Sequence, residues 1–199
     1  AVAAAVAAAA AETSAAMPVP SFTTAPAERH RVSGSVSLSS SSSSSSVYAY
    51  DVVLLKEVVH HIPEREVGAL YAGLHAQLAA GGLALTITRP QLLDHDYPLF
   101  HAAREVWRRN QCGAEVYAGA MERAGFHPVE VLERCYTFRV PTRDWLAMVR
   151  SRFWSTLAAE HFTDAQLAAG VKELEDRFKG QDEVVLKDKL LFLVGRKPL

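Results

Sequence analysis

The sequence is poor in several features that mark common protein classes. It has two cysteines, Cys112 and Cys135, and they form no C-x-x-C pair. Neither a disulfide framework nor a zinc knuckle is therefore predicted. Lysine and arginine (21) nearly balance aspartate and glutamate (22), so no basic surface indicates a nucleic-acid partner. No apolar run approaches the roughly 20 residues that span a bilayer, so no membrane partner is predicted either.

The glycines lack the spacing of the familiar ligand-binding loops. None of the eleven glycines forms a G-x-G pair, and no G-x-S-x-G occurs. The sequence therefore contains no dinucleotide-binding fingerprint, no phosphate-binding loop and no nucleophile turn of the hydrolase type.

Residues 1–46 are low in complexity, with an alanine tract that ends at Ala11 and unbroken serine from Ser39 to Ser46. A segment of this composition is predicted to be disordered, because it buries too little apolar area to offset the entropy lost on ordering. The alanine tract lacks the basic start and leucine-rich core of a secretory signal, so a cytoplasmic or organellar location is expected. The Ser- and Thr-rich part fits a transit peptide and a plain tail equally well.

From residue 47 to residue 199, apolar strands and amphipathic helices alternate. Strands are predicted at residues 47–55, 83–88, 129–140 and 184–196. Helices are predicted from Pro63 to the Gly81-Gly82 pair and at residues 97–109, 114–124, 143–157 and 163–179, the last with Thr163 as N-cap. This alternation predicts an α/β domain with a mainly parallel sheet covered by helices.

Polar residues follow the first strand at the point where the chain turns. Lys56 and Glu57 come directly after it, and the turn continues to His61. In parallel sheets ligands bind just outside the carboxyl ends of the strands, so this turn is a candidate ligand site. Arg89 ends the next strand and is expected to border a substrate pocket, to which Tyr97 could contribute. The alternatives are that the turn residues are merely solvated and that Tyr97 is a core aromatic.

Three landmarks in this order resemble class I S-adenosylmethionine-dependent methyltransferases of the broad small-molecule type. The first is the strand that contains Tyr50-Asp51, with its following His60-His61-Ile62 turn. The second is the LAAGGL segment at residues 78–83, similar to the family's leucine–x–proline–glycine–glycine turn, with Ala80 where proline is usual. The third is the Ala-Gly-Phe segment at residues 124–126, which precedes a strand. The resemblance covers residues 47–198.

The resemblance implies a partial doubly wound, Rossmann-like sheet. The family's strand order is 3-2-1-4-5-7-6, and this chain would supply strands 4 to 7. Strands 1 to 3, which carry the glycine-rich turn and the acidic residue that hold most of the cofactor, are missing from the sequence. Because the sequence also begins at alanine, we expect a fragment or a faulty gene model. Residues 47–199 are then the carboxyl-terminal half of a methyltransferase-like domain.

The resemblance also implies a cofactor and a set of binding residues. The cofactor is S-adenosylmethionine, with contacts expected from Lys56, Glu57 and His61. The methyl acceptor is a small molecule, with contacts expected from Arg89 and Tyr97. No catalytic side chain is assigned, because the sulfonium already activates the methyl group and the protein mainly aligns the reactants.

The neighbouring histidines His60 and His61 have two interpretations. A histidine pair is typical of metal sites and of general bases that act near neutral pH. In the family, histidine at this place packs beneath the cofactor loop, so the resemblance implies a structural role. A zinc site that combines the pair with residues between Asp94 and His101 has no regular ligand spacing, and no metal is predicted.

Two functions remain open from the sequence. The first is methyl transfer to a small molecule, with doubtful activity of this chain alone because half of the domain is missing. The second is a non-catalytic methyltransferase-like module that binds a partner chain. Strand 4 would present an apolar, unpaired edge where strand 1 should lie, and a partner chain is expected to cover that edge. A nucleotide-dependent reductase is disfavoured because its glycine fingerprint is equally absent.

Overall fold

The computed structural model describes residues 50–199. The disorder predicted for residues 1–46 and the strand start predicted at residues 47–49 lie outside the described residues. The described part contains four strands, β1 Tyr50–Lys56, β2 Leu78–Thr88, β3 Val129–Pro141 and β4 Glu183–Arg196. Its helices are α1 Glu64–Gln77, α2 His101–Asn110, α3 Ala114–Arg123, α4 Thr142–Arg150 and α5 Asp164–Arg177, with single 3-10 turns at Val59–His61 and Ser155–Leu157.

The strands form one sheet in the order β1-β2-β4-β3. Numbered as strands 4 to 7, this order is 4-5-7-6, so the partial methyltransferase sheet implied by the sequence is confirmed. β1 and β2 are parallel, with Val52 opposite Leu83 and Leu54 opposite Leu85. β4 is antiparallel to both β2 and β3. The prediction of a mainly parallel sheet is therefore wrong for the described strands.

β4 begins at the end of the sheet where β3 stops, with Glu183 opposite Pro141. β3 ends at Pro141, and α4 and α5 carry the chain away and back to the same end of the sheet. The Thr142 N–H donates to the Asp182 carbonyl oxygen at 2.9 Å, which holds the start of α4 beside the start of β4. β4 can then only run back along β3. The sequence predicts both helices of this crossover, but not that they return the chain to the end of the sheet where β3 stops.

Two apolar clusters hold these elements together. The first lies between the sheet and helices α1 and α3, and it includes Tyr71, Tyr117 and Leu193, all fully buried. The second joins helices α2, α4 and α5 to the beginning of β4, with Trp145 and Phe100 at 1% exposure. Burial of such large side chains contributes about 1.5–3 kcal/mol each before entropy is counted. The second cluster supports the loop that follows β2.

Several helix boundaries differ from the sequence prediction. α1 ends at Gln77 and β2 begins at once at Leu78, because Gly81, at φ 75°, turns within the strand instead of ending the helix. Residues 97–100 belong to a loop, and the helix begins at His101. The predicted helix over residues 143–157 stops at Arg150, since Arg152 adopts φ 56°, a conformation that no helix continues.

Other local predictions are confirmed. Thr163 caps α5, accepting from the Gln166 N–H at 3.3 Å, while the Gln166 side chain accepts from the Thr163 N–H at 2.9 Å. Gly125 adopts φ 100° just after α3, the left-handed position that glycine takes without a side-chain penalty. No helix within residues 50–199 has the length and apolar character to cross a membrane.

Candidate functional site

The end of β1 turns sharply and aims an acidic side chain inward. The Glu57 N–H still donates to the Ile87 carbonyl oxygen of β2 at 2.9 Å. Glu57 itself adopts φ 54°, a left-handed conformation that side chains rarely take. The strained turn brings its carboxylate next to Arg89, at the end of the neighbouring parallel strand. The ends of β1 and β2 therefore meet, as expected for the ligand edge of an α/β sheet.

Arg89 contacts three other side chains at this edge. Its guanidinium donates from Nε to Asp188 Oδ1 at 2.9 Å and from Nη2 to Asp188 Oδ2 at 3.0 Å. Nη1 donates to Glu57 Oε2. The same guanidinium lies 5.8 Å from the centre of the Trp154 ring, within cation–π range. Arg89 thus joins β1, β2 and β4 through one buried cation.

The burial of this cluster sets its electrostatics. The side chains of Arg89, Asp188 and Glu57 are 18%, 15% and 28% exposed. Burial opposes the charge on Arg89, but the hydrogen bond and the charge of Asp188 outweigh it and raise the Arg89 pKa. Burial raises the pKa of Glu57, and the charge of Arg89 offsets that effect only in part. Two carboxylates share one guanidinium, so the cluster carries one excess negative charge when both are ionised.

Tyr97 contributes a buried hydroxyl to the same place. Its side chain is 3% exposed, and its hydroxyl has no hydrogen-bond partner within the described residues. Burial raises the pKa of Tyr97, so the hydroxyl stays protonated and can donate. The ring stacks on Trp154 with centroids 6.2 Å apart and also contacts Trp107 at 6.3 Å. Since unpartnered buried hydroxyls are rare, this one is a natural contact point for a ligand.

The two histidines of the turn have different environments. The His60 ring is half-buried, and its Nδ1 has no partner among residues 50–199. Burial, together with the neighbouring charges of His61 and Arg89, lowers the pKa of His60 to about 4. His60 is therefore neutral near pH 7. A neutral ring suits a packing role and carries no extra proton to donate as a general acid. His61 is exposed, with its ring 4.1 Å from that of His60.

The five residues predicted as binding residues thus fall into two groups. Glu57, Arg89 and Tyr97 lie together at the carboxyl edge. Lys56 and His61 are exposed and do not enter the cluster. Lys56 is the last residue of β1, and strand alternation directs it to the opposite face from Leu55, which packs against the helices.

Sequence reasoning missed two members of the cluster. Asp188 and Trp154 lie 99 and 65 positions after Arg89, and only the fold brings them near it. His60 was noticed, but His61 was preferred as the binding residue. One signal was available for Asp188, because Lys187, Asp188 and Lys189 interrupt the apolar alternation of β4 with charges. A charge inside an otherwise apolar strand usually marks a partner or a site.

The loop between β2 and α2 is held by donors from three helices. Arg104 donates to the carbonyl oxygens of Asp94 and His95 at 2.7 and 2.6 Å. Arg177 donates to the carbonyl of Tyr97 at 2.8 Å. Indole N–H groups complete the set, from Trp107 to Pro90 O at 3.0 Å and from Trp145 to Pro98 O at 2.8 Å. Five carbonyls of the loop that carries Tyr97 thus accept hydrogen bonds from helix side chains, which hold the loop in place.

The open space at this edge is small. A cavity of about 10 Å³, room for about one water molecule, adjoins the cluster. Its lining is Arg89, Pro90, Leu92, Leu93, Asp94, Tyr97, Lys187, Asp188 and Lys189. Arg89 fills the centre of the cluster itself, so a larger ligand would lie against these residues rather than among them. The described residues therefore enclose no pocket at this edge that is larger than about one water molecule.

A wider groove of about 410 Å³ lies elsewhere, between α4 and α5. Its charged side chains are already paired, Arg150 with Glu175 and Arg152 with Asp164 at 2.9 Å. None of the buried polar atoms that lack a partner in residues 50–199 belongs to its lining. The carboxyl edge, with unpartnered polar atoms on Glu57, His60, Thr88 and Tyr97, is the better candidate.

The structure does not assemble the alternative zinc site. Within residues 50–199, no three His, Cys, Asp or Glu side chains are grouped closely enough to hold a metal ion. Asp94 and Asp96 are instead engaged by Lys189 at 2.8 Å and Lys187 at 3.5 Å.

Several solved structures with a similar fold are described as methyltransferases, and one is described as the [4+2]-cyclase SpnF. Phosphoethanolamine N-methyltransferase 2 of Haemonchus contortus, solved with phosphomonomethylethanolamine and S-adenosylhomocysteine, is 16% identical with a TM-score of 0.40 over 76% of this chain and 34% of its own. A Bacillus halodurans C-125 protein, provisionally described as a methyltransferase, is 16% identical with a TM-score of 0.46 over 76% and 66%. A SAM-dependent methyltransferase of Archaeoglobus fulgidus is 8% identical with a TM-score of 0.39 over 75% and 60%.

The chain spans 34% to 66% of the length of these three structures. No protein-family model matches the sequence. No curated protein matches it either. With identities this low and TM-scores below 0.5, the fold rests on the strand order β1-β2-β4-β3, which matches the order 4-5-7-6 that the sequence resemblance implies.

Proposed function

We propose that this chain forms the acceptor-side part of an S-adenosylmethionine-dependent methyltransferase that acts on a small molecule. In this proposal residues 47–199 are the carboxyl-terminal half of the domain. The observation that supports it best is the position of Glu57 Oε1, His60 Nδ1 and Tyr97 Oη. All three are buried polar atoms without a partner in the described residues, and all belong to the edge where α/β sheets bind ligands.

The residues at this edge fit one side of a bound cofactor. Glu57 Oε1 can accept a hydrogen bond, and the Tyr97 hydroxyl can donate or accept one. S-adenosylmethionine would supply an activated methyl group there. The chain would contribute a fixed polar edge, held by Arg89, and an aromatic wall of Tyr97 and Trp154 that excludes water. Lys56 and His61 would contribute at most through their backbone, because their side chains are exposed.

A binding titration that uses the whole chain tests this proposal. S-adenosylhomocysteine should bind saturably, and Glu57→Gln should weaken binding by about tenfold, the loss expected for one charged hydrogen bond of about 1.4 kcal/mol. Glu105→Gln, in an exposed ion pair on α2, is the matched control and should leave binding unchanged. Equal binding by both variants would contradict the role given to Glu57.

A second function has an observation in its favour. The cavity at the carboxyl edge of the sheet has a volume of about 10 Å³. Among the described strands, β1 is an outer strand, and it has exposed apolar side chains. Both suit a methyltransferase-like module that binds a partner chain without catalysis. A stoichiometric partner that co-purifies with the full chain, together with no binding of S-adenosylhomocysteine, would favour this second function over the first.

A further inference from the structure

Arg89 is shared unequally between its two carboxylates. Its Nε and Nη2 donate to both oxygens of Asp188, at 2.9 and 3.0 Å, so that carboxylate is fully engaged. Glu57 receives only Nη1, on Oε2. The second oxygen of Glu57, Oε1, is buried and has no partner within residues 50–199. The unequal sharing therefore leaves one acidic oxygen at the carboxyl edge of the sheet able to accept a hydrogen bond.

A single carboxylate would pair with this arginine differently. A guanidinium and one carboxylate form their strongest pair through two parallel hydrogen bonds, which engage both oxygens. Without Asp188, the fork of Arg89 would be available to bond both Oε2 and Oε1 of Glu57. Oε1 would then be satisfied within the chain, and a ligand would have to displace Arg89 in order to reach it. Asp188 therefore competes with Glu57 for the same fork.

The backbone of Glu57 indicates that its inward position has a use beyond the fold. Glu57 adopts φ 54°, a conformation that costs free energy for a residue with a side chain. The Glu57 N–H stays bonded to the Ile87 carbonyl oxygen at 2.9 Å, so the turn is held in place. Strained residues of this kind cluster at ligand sites. The strain directs a carboxylate inward, and only one of its two oxygens is used by the chain.

The charges that act on Glu57 come from three strands. Arg89 follows β2, Asp188 lies on β4, and Lys56 is the last residue of β1. Burial raises the pKa of Glu57, the charge of Arg89 lowers it, the charge of Asp188 raises it, and Lys56 lowers it. Two other titratable groups at this edge are uncharged near pH 7, His60 and Tyr97. Removal of the Asp188 charge should therefore lower the Glu57 pKa.

We propose that Asp188 is a positioning residue, which holds the fork of Arg89 away from Glu57 Oε1 and so keeps that oxygen available to a ligand. Asp188 offers the ligand no acceptor of its own, because both of its oxygens are bonded to Arg89. It acts through Arg89 on Glu57. The effect on a ligand rests on the proposed function, whereas the sharing of Arg89 can be tested in the ligand-free chain.

The first test is the pKa of the Glu57 carboxyl, measured by NMR titration of the ligand-free full chain. Asp188→Asn removes one charge at nearly constant volume and leaves Arg89 paired with one carboxylate, so no buried cation becomes unpaired. The Glu57 pKa should fall in this variant. Asp188→Glu retains the charge and should stay close to the wild type. A thermal melt of each variant verifies that the fold is kept.

Asp96→Asn is the matched control for this titration. Its carboxylate is 67% exposed and pairs with Lys187, the neighbour of Asp188 on β4, at 3.5 Å and not with Arg89. The Glu57 pKa should therefore stay unchanged in this variant. An unchanged Glu57 pKa in Asp188→Asn, or an equal fall in Asp188→Glu, would overturn the proposal.

The second test is the binding of S-adenosylhomocysteine to the same variants, measured by calorimetric titration. Asp188→Asn should weaken binding by about tenfold, as expected for Glu57→Gln. The double variant should bind no more weakly than Glu57→Gln alone, because Asp188 acts through Glu57. Unchanged binding by Asp188→Asn, or losses that add in the double variant, would overturn the proposal. A wild-type chain that binds nothing would contradict the proposed function, and the NMR titration would still decide how Arg89 is shared.

Discussion

Arg89 and Asp188, 99 positions apart in the sequence, are joined by two parallel hydrogen bonds of 2.9 and 3.0 Å. The pair ties the carboxyl end of β2 to β4 and leaves the third guanidinium nitrogen of Arg89, Nη1, to donate to Glu57. A guanidinium shared between two carboxylates fixes the edge of the sheet in one geometry.

Arg89→Met should destabilise the fold by about 3 kcal/mol, since two largely buried carboxylates lose their shared cation. Chemical denaturation measures the loss. Arg108→Met is the matched control, because its pair with Glu105 is about half exposed and contributes at most about 1 kcal/mol. Equal losses of unfolding free energy in the two variants would show that the ion pairs of Arg89 contribute no more than an exposed pair.

Tyr97→Phe should leave the stability of the fold nearly unchanged while weakening ligand binding. The hydroxyl has no partner in the described residues, so its removal costs within about 0.5 kcal/mol. A ligand that bonds to it would lose about tenfold in affinity, the equivalent of about 1.4 kcal/mol. Thermal melting and calorimetric titration give the two quantities. A large loss of stability with unchanged binding would assign Tyr97 to the core alone.

His60 should make the fold sensitive to mild acid. Its pKa is lowered from 6.5 to about 4 in the folded chain, so the unfolded chain binds the proton more readily. The neutral ring contributes stability fully above pH 6.5, and this contribution is lost as the pH falls toward 4. The wild type should therefore lose more stability between these pH values than His60→Asn. His95→Asn, at an exposed position, should follow the wild type.

Gly170→Ala should be destabilising by about 1–3 kcal/mol, although alanine is the better helix former. A Cβ at Gly170 would lie 2.6 Å from the ring of Phe100, which is buried at 1% exposure. Gly68→Ala in α1 is the matched control, since nothing lies within 4 Å of its added Cβ. That variant should gain about 0.5–1 kcal/mol. Urea denaturation should therefore give a lower free energy of unfolding for Gly170→Ala and a higher one for Gly68→Ala than for the wild type.

Much of the fold was predictable because local patterns decide it. The apolar runs gave the four strands, the Thr163 capping box gave the start of α5, and Gly125 gave the end of α3. The strand order required the family resemblance. The direction of β4 was not accessible, because both helices of the crossover were predicted but not the end of the sheet to which they return the chain. The early stop of α4 was not accessible either, because no sequence pattern marks the left-handed backbone of Arg152.

The candidate site was predictable only where residues follow a strand directly. Glu57 and Arg89 could be named because they end β1 and β2. Which of Lys56 and Glu57 turns inward depends on the left-handed φ at Glu57, and the sequence does not specify it. Asp188 and Trp154 were missed because their proximity to Arg89 arises from long-range packing of β4 and the helices.

Calorimetric titration of the full chain with S-adenosylhomocysteine tests the central claim most directly. The account predicts saturable binding with a dissociation constant below about 1 mM, weakened by Glu57→Gln and by Tyr97→Phe. Folding of the same sample is verified by a cooperative thermal melt. A folded chain that shows no binding at all would contradict the claim that the carboxyl edge of β1 and β2 is a cofactor site.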